Sequence, residues 1–168
     1  MNYILIGLPT AGKSTTGVVL AKMLGMDYLD TDILIQNQDG CRLEDIILAI
    51  GQDAFLDLEG DVCAGVKAEN AVIATGGSVI YRSCAMDHLK EIGTMIYLKI
   101  SMETLTARLH DAKSRGVVLR EGQTLEELYF ERIALYEKYA DIIVNENRMS
   151  FEGVLQAVID AIRSGQKI

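Results

Sequence analysis

Short, almost wholly apolar runs alternate along this chain with longer stretches whose apolar residues recur at helical spacing. Asn2–Ile6 is such a run, closed by Gly7, and reads as a parallel strand buried on both faces. The next segment predicts a helix over Lys13–Leu24, with Val18, Val19, Leu20, Met23 and Leu24 on its buried side and Gly25 as its C-cap. Residues 26–29 read as a second strand, leading into Asp30-Thr31-Asp32. Helices are expected over 32–38 and Leu43–Ile50, then a longer one over 52–67 with Phe55, Leu58 and Val62 on one side. Ala71–Ala74 is a further buried strand, closed by Thr75-Gly76-Gly77-Ser78. A helix at 85–92, a strand at 94–100 and a helix at 102–112 come next. The polar stretch 113–124, with Gly116 and Gly122, reads as a mobile loop. A helix at Leu125–Tyr139, a strand at 142–144 and a helix at 151–163 follow. Strands alternating with helices predict one α/β domain over 1–168, a three-layer α/β/α sandwich on a parallel sheet. Ligands of such sheets collect beyond the carboxyl ends of the strands, where Gly7, Asp30, Asp32 and Gly76 all fall.

Composition narrows the class of ligand. The 168 residues carry 24 acidic against 16 basic side chains, a formal charge of −8, which disfavours nucleic acid and anionic membrane as partners. A polyanion would have to be held at a small local cationic site, which favours a nucleotide. Cys41, Cys63 and Cys84 lack metal-ligand spacing and read as reduced, buried thiols of a cytoplasmic protein. The N-terminus shows no leader pattern, and no apolar run reaches the length of about 20 residues that spans a bilayer. A monomer is expected.

The chemistry begins at Gly7-Leu8-Pro9-Thr10-Ala11-Gly12-Lys13-Ser14, which matches G-x-x-x-x-G-K-[ST] between an apolar strand and a helix. Glycines let the loop turn its N–H groups inward around an anion, and the helix adds the positive end of its dipole. Lys13 supplies a full charge for the β- and γ-phosphates of ATP, and the Ser14 hydroxyl can ligate Mg²⁺. Thr10, Ala11 and Thr15 complete the loop. The chain has no guanine-reading N/T-K-x-D motif and is short for a motor, so a small kinase leads.

Five ordered motifs then make the chain resemble the shikimate kinase family. They are Gly7 to Thr15 followed by Gly17; Leu29-Asp30-Thr31-Asp32; Ala74-Thr75-Gly76-Gly77; a lid with Arg115; and Arg132-Ile133-Ala134-Leu135-Tyr136 followed by Ala140-Asp141. The resemblance implies a P-loop NTPase fold of the nucleoside-monophosphate-kinase type. It also implies transfer from MgATP to shikimate, giving shikimate 3-phosphate for aromatic amino acid biosynthesis. By position it gives Asp30 a water-mediated hold on the metal, and Asp32 the acceptor hydroxyls and the role of base. Arg115 would close onto the phosphates, and Arg132 would grip the acceptor carboxylate. Arg108 would stack on adenine, with the Asn147-Arg148 turn beside it. The residues leave other readings open: Asp32 as a helix N-cap, Arg115 as a solvated loop charge, Arg132 in a surface ion pair.

Two positions depart from the family pattern, and both fall on the acceptor side. The arginine expected after Phe55 is Leu56, and the third glycine after Thr75 is Ser78. Losing one charged hydrogen bond to a carboxylate costs about 1.5–3 kcal/mol, roughly ten- to over a hundredfold in affinity. Arg82 and Lys67 are candidate replacements. The expectation is therefore a kinase for shikimate or another small hydroxylated metabolite, with a non-catalytic nucleotide-binding protein as the alternative from another class.

Overall fold

A computed structural model of the chain describes residues 1–111 and 122–164. The strands are β1 (Asn2–Ile6), β2 (Asp27–Asp30), β3 (Ala71–Ala74), β4 (Gly93–Lys99) and β5 (Ile142–Asn145). They form one parallel sheet in the order β2-β3-β1-β4-β5. The helices are α1 (Lys13–Leu24), α2 (Thr31–Asp39), α3 (Leu43–Ile50), α4 (Gln52–Ala64), α5 (Ser83–Ile92), α6 (Met102–Asp111), α7 (Leu125–Tyr139) and α8 (Phe151–Ser164). A 3₁₀ turn at Val79–Tyr81, not anticipated from sequence, links β3 to α5. Every residue of β1 and β3 is buried, so both faces of the central sheet are covered by helices, as parallel pairing requires.

The phosphate loop fixes how α1 lies on the sheet. Its buried residues are Lys13, Thr16, Gly17, Leu20 and Ala21, spaced as one helical face counted from Lys13. The expected apolar face is corrected accordingly: Val18 and Met23 are 50% and 55% exposed. Turning Lys13 inward sets the helix rotation, and hydrophobicity on the other face yields to it. Gly17 makes the fit possible, because a Cβ there would stand 2.7 Å from the Tyr28 ring.

Helices α2, α3 and α4 form a second, small apolar cluster of Ile35, Ile46 and Phe55, with Leu43, Ile47, Leu58 and Val62 packed against it. α4 stops three residues before its expected end, where the Gly65 amide bonds back to Asp61 and Val62 carbonyls. Of the cysteines only Cys63 is buried; Cys41 and Cys84 are exposed, contrary to expectation. Among the described residues, no helix is long and apolar enough to cross a membrane.

Asn2 joins the amino ends of the strands. Its buried amide donates to Ala68 O at 2.7 Å and Ile92 O at 3.0 Å, and accepts from Ala71 N at 3.0 Å. Asn2→Ala removes all three bonds and leaves the groups they satisfied without a partner. We expect a loss of about 3 kcal/mol in a urea unfolding titration, with an unchanged m-value.

Candidate active site

The loop after β1 is built to receive an anion. Gly12 holds φ 76° and leads straight into α1, whose first turn carries no side-chain cap and no acidic residue. Its leading N–H groups are therefore free for phosphate oxygens. Lys13 Nζ donates to the carbonyls of Gly7 at 2.8 Å and Leu8 at 3.0 Å. Burial lowers the Lys13 pKa to about 8, Arg132 pushes the same way, and Asp32, Glu59 and Asp30 oppose them. The ammonium form still dominates at neutral pH.

The start of α2 is the reverse case, because its N-cap is a carboxylate. Asp30, not Asp32, is that cap: Oδ1 accepts from Asp32 N at 3.0 Å. Its Oδ2 accepts from the Tyr28 hydroxyl at 2.9 Å. Tyr28 thereby holds the Asp30 carboxylate in place, a role sequence reasoning missed. With Asp30 occupied by capping, Asp32 is left to face a cleft. Burial raises its pKa, nearby Asp30 raises it further, and Lys13 counteracts.

That cleft, about 370 Å³, is lined by Lys13, Ser14, Asp32, Arg42, Phe55, Glu59 and the run Thr75 to Ser78, among others. Two threonines of the sequence motifs hold its floor. Thr75 Oγ1 donates to Leu5 O at 3.1 Å, and Thr31 Oγ1 accepts from Gly76 N at 3.2 Å. Gly76 is a place of close approach, since a Cβ there would collide with carboxylate oxygens of both Glu59 and Asp32. Glu59 went unrecognised from sequence as a site residue. Burial raises its pKa to about 7 and Asp32 adds to the rise, against Ser78, Arg132 and Lys13. Ser78 Oγ donates to Glu59 Oε2 at 2.6 Å, so the serine hydroxyl is taken up by this buried acid.

Arg132 is almost fully buried, not the surface residue that one reading allowed. It lies behind Gly77, donating to Tyr81 Oη at 3.3 Å and Gly77 O at 3.4 Å. Leu56 is half-buried on α4 and does not line the cleft. Arg115 and most of the expected lid lie outside the described residues. Tyr136, whose role the sequence did not reveal, places its hydroxyl 2.8 Å from Gly7 O and 2.6 Å from Gly77 O. Asp141 is structural: its carboxylate accepts from Met95 N at 3.0 Å beside β5.

A second cleft, about 420 Å³, lies on the outer side of the same loop. Thr10, Ala11, Gly12 and Thr15 line it together with Arg108, Glu146, Met149 and Phe151. Arg108 donates to Thr10 O at 2.8 Å and pairs with Glu146 at 3.4 Å. Arg148 is exposed in the turn after β5, at φ 64°, and does not line this cleft. Its neighbours Met149 and Phe151 do; an apolar pair after a strand end was the available signal.

A shikimate kinase family model matches residues 9–163. A shikimate kinase of Clostridium botulinum (strain Loch Maree / Type A3) is 37% identical, with 99% of both chains covered. The solved shikimate kinase of Acinetobacter baumannii, in complex with shikimate, is 30% identical at a TM-score of 0.88, covering 98% of this chain and 94% of that one. The solved Aquifex aeolicus shikimate kinase is also 30% identical, at a TM-score of 0.85 and 98% coverage of each.

The buried Glu59 gives a pH signature. The native state holds its proton more tightly than the unfolded chain, so stability should fall as pH rises from about 4.5 to about 7, then level off. Glu59→Gln keeps an acceptor for Ser78 and removes the titration. The variant should gain roughly 1–3 kcal/mol over the parent at pH 8 and match it near pH 4, measured by urea unfolding at both values.

Proposed function

The chain belongs to the shikimate kinase family and is an ATP-dependent phosphotransferase; we propose how its residues divide that work. The observation that carries the division is the meeting of Lys13, Asp32 and Glu59 with the phosphate loop in one cleft. ATP lies with its phosphates under the N-terminus of α1 and against Lys13. Its base goes to the outer cleft beside Arg108. Shikimate, a cyclohexene ring bearing one carboxylate and three hydroxyls, enters between α2–α4 and the Gly76-Gly77 wall. Leu43, Ile47 and Phe55 give the ring an apolar seat.

Phosphoryl transfer needs mainly in-line positioning and neutralisation of charge. Asp32 accepts the proton of the attacking hydroxyl, and its raised pKa suits a base better than an ordinary carboxylate. Lys13 stabilises charge on the transferred group, and by the family resemblance Arg115 contributes a second positive charge to that step. Arg132, behind Gly77, adds positive potential to the acceptor wall. Ser14 and Asp30 are oxygen donors of the kind Mg²⁺ takes, one or two from protein with the rest from phosphate and water. The metal when bound neutralises the phosphates and orients them. Neither departure alters this reading: Ser78 is consumed by Glu59, and Leu56 stands outside the cleft lining. The same reading takes the enzyme as a cytoplasmic monomer, which sedimentation equilibrium checks.

ADP release by the wild-type chain should depend on shikimate, and phosphorus NMR should find the product phosphate on the 3-hydroxyl. Asp32→Asn should lower turnover by about 10²–10⁴-fold while ATP still binds by calorimetry. ADP release indifferent to shikimate would sink the reading.

A further inference from the structure

The acceptor cleft has two ends of opposite character. Its floor gathers Asp32, Glu59 and Ser78 around Gly76, groups that suit hydroxyls and repel a carboxylate. A ligand carrying both functions must turn its carboxylate away from that floor, towards a cation. Among the described residues lining the cleft, the cations are Lys13 and Arg42. Lys13 is held by the loop carbonyls of Gly7 and Leu8, where phosphates bind. Arg132 lies behind the wall, where its Nε donates to Tyr81 Oη at 3.3 Å and its Nη1 to Gly77 O at 3.4 Å.

The two replacements considered from sequence do not reach. Arg82 pairs with Asp57 at 2.7 Å and does not line the cleft. Lys67 precedes β3, at the amino end of the sheet, whereas the cleft lies beyond the carboxyl ends.

Arg42 is placed differently. It is the N-cap residue of α3, a position where a short polar side chain usually accepts a backbone N–H. An arginine cannot accept, and Arg42 makes no capping bond. Nor does it form an ion pair or hydrogen bond with another described residue, Glu44 on the same rim included. A long, exposed, uncommitted guanidinium thus stands at the rim, next to the apolar seat of Leu43, Ile47 and Phe55.

We propose that Arg42 binds the carboxylate of the acceptor and so sets which hydroxyl faces Asp32. The inference rests on shikimate as acceptor. Its planar fork matches a carboxylate with two parallel hydrogen bonds, which a lysine cannot reproduce.

The test pairs a variant with an altered ligand. KM is measured for wild type, Arg42→Gln and Arg42→Lys, with shikimate and with its neutral carboxamide, and unfolding midpoints confirm that each variant is folded. Arg42→Gln should raise KM for shikimate about ten- to a hundredfold, Arg42→Lys should recover part of that, and KM for ATP should stay within about twofold. With the carboxamide, wild type and Arg42→Gln should differ by less than about threefold. A shikimate KM unmoved by Arg42→Gln, or an equal rise for the carboxamide, overturns the proposal. Failure of the functional reading is a separate outcome, seen as wild type not using shikimate at all.

Discussion

The carbonyl oxygen of Gly7 accepts from Lys13 Nζ and from the Tyr136 hydroxyl, each at 2.8 Å. Through this one atom the phosphate loop, the start of α1 and helix α7 share a point. The Tyr136 hydroxyl also reaches Gly77 O, so the acceptor wall is tied to the same node. The hydroxyl carries a single proton, and both carbonyls lie within its reach. Lys13, once turned inward to this node, dictates that Thr16, Gly17, Leu20 and Ala21 face the sheet. The seating of α1, the space for Tyr28 and the placement of Asp30 follow from it.

Charge in the site is balanced locally. Asp32 and Glu59 converge at Gly76, with Asp30 close to Asp32, against Lys13 and Arg132. Burial alone drives Asp32, Glu59 and Lys13 each towards its neutral form. Three devices keep the cluster tolerable: Asp30 spends its oxygens on a helix cap and a tyrosine, Glu59 takes the Ser78 hydroxyl, and Lys13 is held by carbonyls. Asp32 is left facing the cleft, and that is the position from which a base can act. The serine in place of a third glycine therefore serves the buried acid beside it.

The two clefts meet at the phosphate loop, with Thr10, Gly12 and Thr15 lining both. A nucleotide in one and an acceptor in the other would bring donor and acceptor together at Lys13. The sheet order accounts for this: β1 is central, and β2 and β3 deliver Asp30 and Gly76 from neighbouring strand ends.

The strands β1 and β3, the limits of α1 and α3, the phosphate loop and the family were all legible in the sequence, because each rests on local periodicity or on contiguous residues. The sequence could not determine the rotation of α1, since the apolar count of Val18, Val19 and Met23 pointed one way and the inward turn of Lys13 decided the other. Nor could it separate Asp30 from Asp32, because either spacing allows a cap and only the Asp32 amide and the Tyr28 hydroxyl select Asp30. Glu59, Tyr136 and Arg42 lay beyond local reading for a common reason. Glu59 meets Ser78 across 19 residues, Tyr136 meets Gly7 across 129, and Arg42 acquires meaning only from the cleft it borders. Contacts between distant segments are decided by how helices pack on the sheet, and that packing belongs to the tertiary structure alone.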